Sequence, residues 1–318
     1  MHEPMNPIGI SVVIPLYNKA GTLARAIDSV LTQNYTPLEL VVVDDGSTDD
    51  SADIATAYGV RLILLHQENS GPSAARNRGV RASRHSLLHF LDADDELLPG
   101  ALTAHAHCRT LRPEVTLSLG SFRKQMDTQS IQDEILSQRG VDLERVDNIH
   151  FQSGFNAGYM LDVMSGAICV NRDLFDAVDG FDEQLRCWEI TDFLLRAQLR
   201  RPLVGIIDTL TATVHPDTEN SQFDRMRDQT TYLSRYAHKL LDHLDEIPGD
   251  QHEKLLRPVR HFLFMLWSSG ALYEFKRLAV RACPRLPTGN RPTKLCAYSK
   301  LPLPVLRLLH TLRMPHPS

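Results

Sequence analysis

The chain has 318 residues, of which 42% are hydrophobic and 23% charged, and its net charge is −5. This is the profile of an ordinary globular protein, long enough for one large domain or for a domain with an extension. The charge is uneven: residues 251–318 hold 12 of the 34 Lys+Arg and 2 of the 39 Asp+Glu, a net of +10, which leaves −15 for residues 1–250. An acidic body with a basic tail argues against nucleic-acid binding. Ile10–Ile14 is β-branched, apolar and closed by Pro15, which reads as a buried strand running into a loop. Lys19–Gln33 follows with apolar residues at Leu23, Ala26, Ile27, Val30 and Leu31, the stripe of an amphipathic helix.

Leu38–Val43 reads as the second strand and ends in Asp44-Asp45-Gly46-Ser47-Thr48-Asp49. Gly46 suits a turn there, and Ser47 or Asp49 suits the cap of the next helix. Arg61–Leu65 reads as a third strand, and Gly71-Pro72-Ser73 opens a helix through Ala82. Leu87–Leu91 reads as a fourth buried strand that stops in Asp92, Asp94 and Asp95. Carboxylates packed this closely repel one another, and a hard divalent cation, Mg2+ or Mn2+, would relieve them. Strands separated by helices at this spacing imply βαβ units and a mostly parallel, Rossmann-like α/β sheet with helices on both faces. In such sheets ligands bind at the carboxyl ends of the strands. That edge here collects Pro15–Asn18, Asp44-Asp45, His66–Ser70 and Asp92–Asp95.

Gln125–His150 is polar with no clear apolar period and reads as a helix or an excursion over that edge. Asn171–Gly180 reads as a helix, Gly180–Glu183 as a turn, Cys187–Arg200 as an amphipathic helix and Leu203–Ile207 as a strand. Beyond Ser221 the chain turns helical and basic. Five scattered cysteines (Cys108, Cys169, Cys187, Cys283, Cys296) show no metal-ligand spacing and no disulfide framework, which points to a reducing cytoplasm. Residues 1–7 lack the features of a signal peptide, and His261–Leu272 is too short an apolar stretch to cross a bilayer. A soluble or membrane-peripheral protein is expected.

Ser11–Asn18, Val41–Asp49, Asn69–Gly79 and Leu91–Asp95, in this order and spacing, resemble the family 2 glycosyltransferases, and Gly180–Glu183 extends the likeness toward residue 217. The resemblance implies the glycosyltransferase A fold over residues 1–220, followed by a helical, basic extension over 221–318. It implies an inverting transfer from a UDP-sugar to an acceptor hydroxyl in surface glycan or polysaccharide synthesis. Pro15 and Tyr17 would pack against the nucleotide base, Asp44 or Asp45 would accept its imide N–H, and Arg76 would contact the diphosphate or base. Asp92 would lie near the ribose and the metal, Asp94 would be the direct metal ligand, and His215 a further metal or diphosphate ligand.

The general base departs from the family pattern, because Ile190 stands where an aspartate is usual. Glu189 and Asp192 flank it, three residues apart and so on one helical face; Glu189 is the first choice. The loss of the usual base leaves a non-catalytic nucleotide-sugar-binding module as one alternative. A sugar-phosphate nucleotidyltransferase is another, disfavoured because Pro15–Gly21 is not a Gly-rich phosphate loop. Basic residues among Leu, Phe and Trp, as in Leu255–Trp267 and Leu301–Leu312, suit peripheral contact with an anionic membrane and a saccharide or lipid-linked saccharide acceptor. The expected location is cytoplasmic, on the inner face of the membrane if that contact is made.

Overall fold

A computed structural model describes residues 8–124, 144–146, 148–156, 163–215, 230–286 and 293–313. The polar excursion expected within 125–150 therefore falls largely outside the described residues. Two compact units divide the chain: Met1–Gly154 with Gly158–Arg225, and Phe155–Ala157 with Met226–Ser318.

The first unit is built on one sheet. Strands β1 (Ile10–Leu16), β2 (Leu38–Asp44), β3 (Ile63–His66) and β4 (Leu87–Phe90) form its parallel half, in the order β3-β2-β1-β4. Strand β1 is central to this half and its Ile, Val and Leu side chains are wholly buried, as a strand covered on both faces requires. Helix α1 (Leu23–Leu31) buries Leu23, Ala26, Ile27 and Val30, the stripe read from the sequence. Helix α2 is Ser51–Ala57, and α3 (Pro72–Ala82) starts with Pro72 in its first turn, where a missing N–H costs nothing. Gly79 lets α3 approach the sheet: a Cβ there would lie 2.3 Å from Val13 Cγ1. The third strand begins two residues later than expected, because Gly59–Arg61 forms a 3-10 turn.

Beyond β4 the directions alternate. After the short β5 (Glu96–Leu97) and α4 (Ala101–Leu111) come β6 (Val115–Lys124), β7 (Glu144–Val146), β8 (Ile149–Ser153) and β9 (Ile168–Asn171). Helices α5 (Arg172–Ala177) and α6 (Glu189–Leu199) and strand β10 (Leu203–Val214) follow. Strand β9 pairs antiparallel with β4 and β6, and β10 runs parallel to β6 and antiparallel to β8. Strand β10 also pairs antiparallel with β5, Thr213 opposite Glu96, so its end meets the turn that follows β4. It is longer than the expected Leu203–Ile207, bending through register shifts at Ile207–Ala212.

The second unit is helical: α7 (Thr230–Asp242), α8 (His252–Ser268), α9 (Leu272–Ala282), α10 (Thr293–Tyr298) and α11 (Leu303–Arg313). Helix α9 packs on each of the other four and buries Phe275, Leu278 and Ala279 completely. Cys283 and Cys296 form a disulfide with Cα atoms 5.6 Å apart. This corrects the expectation of unpaired thiols, and cysteine usage no longer points to a reducing compartment. Cys108, Cys169 and Cys187 are free and buried. Among the described residues no helix is long and apolar enough to cross a membrane.

Candidate active site

The parallel strands β1, β2, β3 and β4 deliver the predicted site residues to one edge. Pro15 lies in β1 opposite Val43, and Tyr17 follows β1; both are half-buried. The loop after Tyr17 is sewn to the β2–α2 loop. Asn18 N donates to Ser47 Oγ (3.0 Å), Thr48 N to Asn18 Oδ1 (2.7 Å) and Lys19 N to Ser51 Oγ (2.8 Å). Asn18 takes φ 50, a left-handed conformation that asparagine tolerates.

The two adjacent aspartates have different tasks. Asp45 accepts hydrogen bonds from Gln67 Nε2 (2.8 Å) and Ser70 N (2.7 Å) on Oδ1, and from Gly71 N (2.8 Å) on Oδ2. It fixes the 67–71 loop at the entry to α3. Asp44 accepts Ser47 N on Oδ1 (3.0 Å), while its Oδ2 meets the exposed His66 imidazole at 3.1 Å. Of the pair, Asp44 is the one whose outer oxygen faces an exchangeable neighbour.

The Asp92–Asp95 turn is clamped from the start of α1. Thr22 Oγ1 donates to Ala93 O (2.9 Å), Arg25 donates to Asp94 O, and Lys19 Nζ lies 2.6 Å from Asp94 Oδ2. The carboxylate oxygens of Asp92, Asp94 and Asp95 converge within 4.8 Å of one another. Burial, with the charges of Asp92 and Asp94, holds the Asp95 carboxyl well above its ordinary range, against the pull of the His215 N–H and Arg25. Three hard oxygen donors that destabilise one another's charge fit a divalent cation. His215 is outside that trio: its backbone N donates to Asp95 Oδ1 (3.0 Å), and its Nε2 is 3.6 Å from Glu96 Oε1.

Arg76 ties this turn to helix α6. Its guanidinium is buried, with Nη2 2.5 Å from Asp92 Oδ1 and Nη1 3.0 Å from Glu189 Oε1. Burial works against the guanidinium charge, but the two carboxylates outweigh it and raise the Arg76 pKa. The next residue sets the frame for this bridge. Asn77 Nδ2 donates to Phe181 O (2.8 Å), and Phe181 N donates to Asn77 Oδ1 (2.9 Å). Phe181 packs among Phe90, Phe175 and Phe193, and Arg76 lies over its ring. Gly180 (φ 61) leaves room for Asn77, since a Cβ would come 2.7 Å from Asn77 Oδ1.

The two acids flanking Ile190 part company. Glu189 opens α6 directly after Trp188, which adopts φ 65, an uncommon conformation for a bulky residue. Glu189 thereby reaches Arg76 and joins the edge cluster. Asp192 is fully buried and its Oδ2 is held by Arg196 at 2.7–2.8 Å, while Arg196 also donates to Val178 O. Glu189 thus shares the Arg76 guanidinium with Asp92, whereas Asp192 is bound to Arg196. Lys19 is a site residue that sequence reasoning missed, and His66 was placed on this edge but given no role. His66 is the last residue of β3 and Lys19 lies three residues beyond β1, so both sit at strand carboxyl ends, which is the signal that could have found their roles.

Comparison with known proteins bears on the family and the fold. Residues 11–166 match the family model described as glycosyl transferase family 2. An uncharacterized glycosyltransferase of Escherichia coli K12, YibD, is 38% identical over 142 residues, 42% of this chain and 40% of that protein. The succinoglycan biosynthesis protein ExoU of Rhizobium meliloti is 43% identical over 100 residues, 30% of this chain and 29% of its own length. The matched part thus spans less than half of each relative. Staphylococcus aureus TarS 1–349, solved in complex with UDP-GlcNAc, aligns with a TM-score of 0.66 at 19% identity. That alignment covers 95% of this chain and 89% of TarS 1–349, a likeness of fold. Sheet, edge motifs and family match together place residues 11–166, just under half of the chain, among the family 2 glycosyltransferases.

Proposed function

We propose that the protein is an inverting glycosyltransferase that moves a sugar from a UDP-sugar to an acceptor hydroxyl. The observation that carries the reading is the Asp92–Arg76–Glu189 bridge, which joins the acidic edge turn to the helix that bears the family's base position. The UDP-GlcNAc and UDP complexes of TarS support a uridine diphosphate donor, and ExoU's description supports a role in polysaccharide synthesis.

Tyr17 and Pro15 pack on the base, and the Asp44 oxygen that faces His66 accepts its imide N–H. Asp45 keeps the 67–71 loop in place and touches no ligand. Asp92 and Asp94 would hold Mg2+ or Mn2+, with His215 as a further ligand for metal or diphosphate. When bound, the cation neutralises the diphosphate and stabilises it as a leaving group. Lys19, released from Asp94, adds positive charge to the same group. Glu189 takes the proton of the acceptor hydroxyl as it attacks the anomeric carbon in line, so the configuration inverts. Positioning and electrostatics supply most of the rate. The acceptor is a saccharide or lipid-linked saccharide met at a membrane surface.

A panel of UDP-sugars assayed for UDP release, with NMR of the product anomer, tests this. An α-linked donor should give a β-linked product. A second reading, a nucleotide-sugar-binding module without turnover, draws on Ile190 and on the arginine pairing of both flanking acids. Donor binding with no release from any sugar, even with a membrane extract as acceptor, would favour it.

A further inference from the structure

The exposed surface of the helical unit has a composition that its core does not explain. Among the described residues, five large hydrophobic side chains are strongly exposed, and four belong to this unit: Phe264 (57%), Tyr273 (63%), Val280 (55%) and Val305 (41%). They are interleaved with cations at helical spacing. On α8 the residues Arg257, Arg260, His261 and Phe264 are all exposed and stand at i, i+3, i+4 and i+7, forming one stripe. The opposite face buries Leu255, Val259, Phe262 and Leu266. Helix α9 repeats the pattern with Tyr273, Arg277 and Val280 outward and Phe275, Leu278 and Ala282 inward. Glu253 and Glu274 are the two acids of these helices, and Glu274 is engaged by Ser234 and Arg277.

We propose that the α8 face formed by Arg257, Arg260, His261 and Phe264, assisted by Tyr273 and Val280, docks the protein on an anionic lipid surface. The proposal rests on the acceptor reading above and names the surface where that acceptor is met. Each aromatic or aliphatic side chain is flanked by cations, the arrangement of an interfacial helix that inserts apolar groups between headgroups while arginines pair with phosphate. A protein partner would instead call for a contiguous apolar centre depleted of charge. Polyanionic nucleic acid would have no use for the aliphatic Val280 and Val305 and would meet the net −15 of residues 1–250. The +10 of residues 251–318 complements an anionic leaflet.

The test is co-sedimentation of the full chain with phosphatidylcholine vesicles and with vesicles containing phosphatidylglycerol. Binding should require the anionic lipid and fall as salt is raised. Each basic residue near an anionic leaflet contributes roughly fivefold in partitioning, so Arg257→Glu with Arg260→Glu should weaken binding by at least about twentyfold. Phe264→Ser alone should weaken it severalfold with Tm unchanged, since the side chain is exposed. Absence of binding to either vesicle, or binding that both variants leave intact, would overturn the proposal. So would a face that these variants show, by light scattering, to mediate self-association without lipid binding. UDP release from a soluble donor should be unchanged in these variants. Its absence in the unmodified protein would count against the transferase reading and leave the vesicle result to stand by itself.

Discussion

Replacing Arg76 by methionine removes the charge and retains most of the volume. In the intact protein the guanidinium serves Glu189 at 3.0 Å and Asp92 at 2.5 Å, with side-chain exposures of 3% for Arg76, 7% for Glu189 and 29% for Asp92. The Asp92 carboxylate can recover part of its solvation from water; Glu189 cannot. Stranding one partner of a buried pair costs about 3–5 kcal/mol, and most of that should fall on Glu189. Urea unfolding followed by near-UV circular dichroism, which reports the Phe90–Phe175–Phe181–Phe193 cluster and its surroundings, measures the loss. Adding Glu189→Gln to Arg76→Met should return at least about 1 kcal/mol, because the stranded charge is gone. Lysine should not substitute well, since it cannot fork between two carboxylates. If Arg76→Met unfolds within about 1 kcal/mol of the unmodified protein, the bridge does not organise the site.

Two further outcomes follow from buried polar groups away from the acidic turn. His89 is fully buried in β4 and burial lowers its pKa from 6.5 to about 4. The unfolded chain therefore binds a proton that the native state refuses between these values, and stability should fall as pH drops from about 6.5 to 4. The shift corresponds to about 3 kcal/mol, and His89→Leu should flatten that limb of the urea-midpoint profile; an unchanged slope would contradict it. Asn77→Ala should cost about 2–3 kcal/mol by leaving the Phe181 backbone N–H and C=O unpartnered in the core. It should also reduce UDP release at saturating donor, and a variant that keeps full stability and activity would show that the Phe181 turn does not need this anchor.

The parallel half of the sheet was legible because β1, β2 and β4 are short apolar runs, each ended by a proline or an aspartate. The alternating half was not. Strand β6 reads Val-Thr-Leu-Ser-Leu-Gly-Ser, polar at every second position, and no strand was assigned there; Ser118 and Ser121 are nonetheless buried, bonding to Cys169 O and Ile207 O. The motifs told which residues gather at the edge but not how they divide the work. Asp44 and Asp45 are indistinguishable as neighbours in sequence, and only the path of the 67–71 loop shows that Asp45 is occupied by backbone. Glu189 and Asp192 share a helical face in sequence; the partners Arg76 and Arg196 separate them. The Cys283–Cys296 pair, 13 residues apart, depends on how α9 and α10 meet, which spacing does not encode.

On the proposed reading, the Asp92–Asp94 turn would hold a divalent cation for the departure of UDP. Its most direct test is UDP release in Mn2+ or Mg2+ by the unmodified protein and by Asp94→Ala, each with and without EDTA. Release should be abolished by EDTA and restored by metal, and it should fall by at least about 100-fold in an Asp94→Ala protein with a native circular dichroism spectrum. Release that persists in EDTA, or that Asp94→Ala leaves intact, would contradict it.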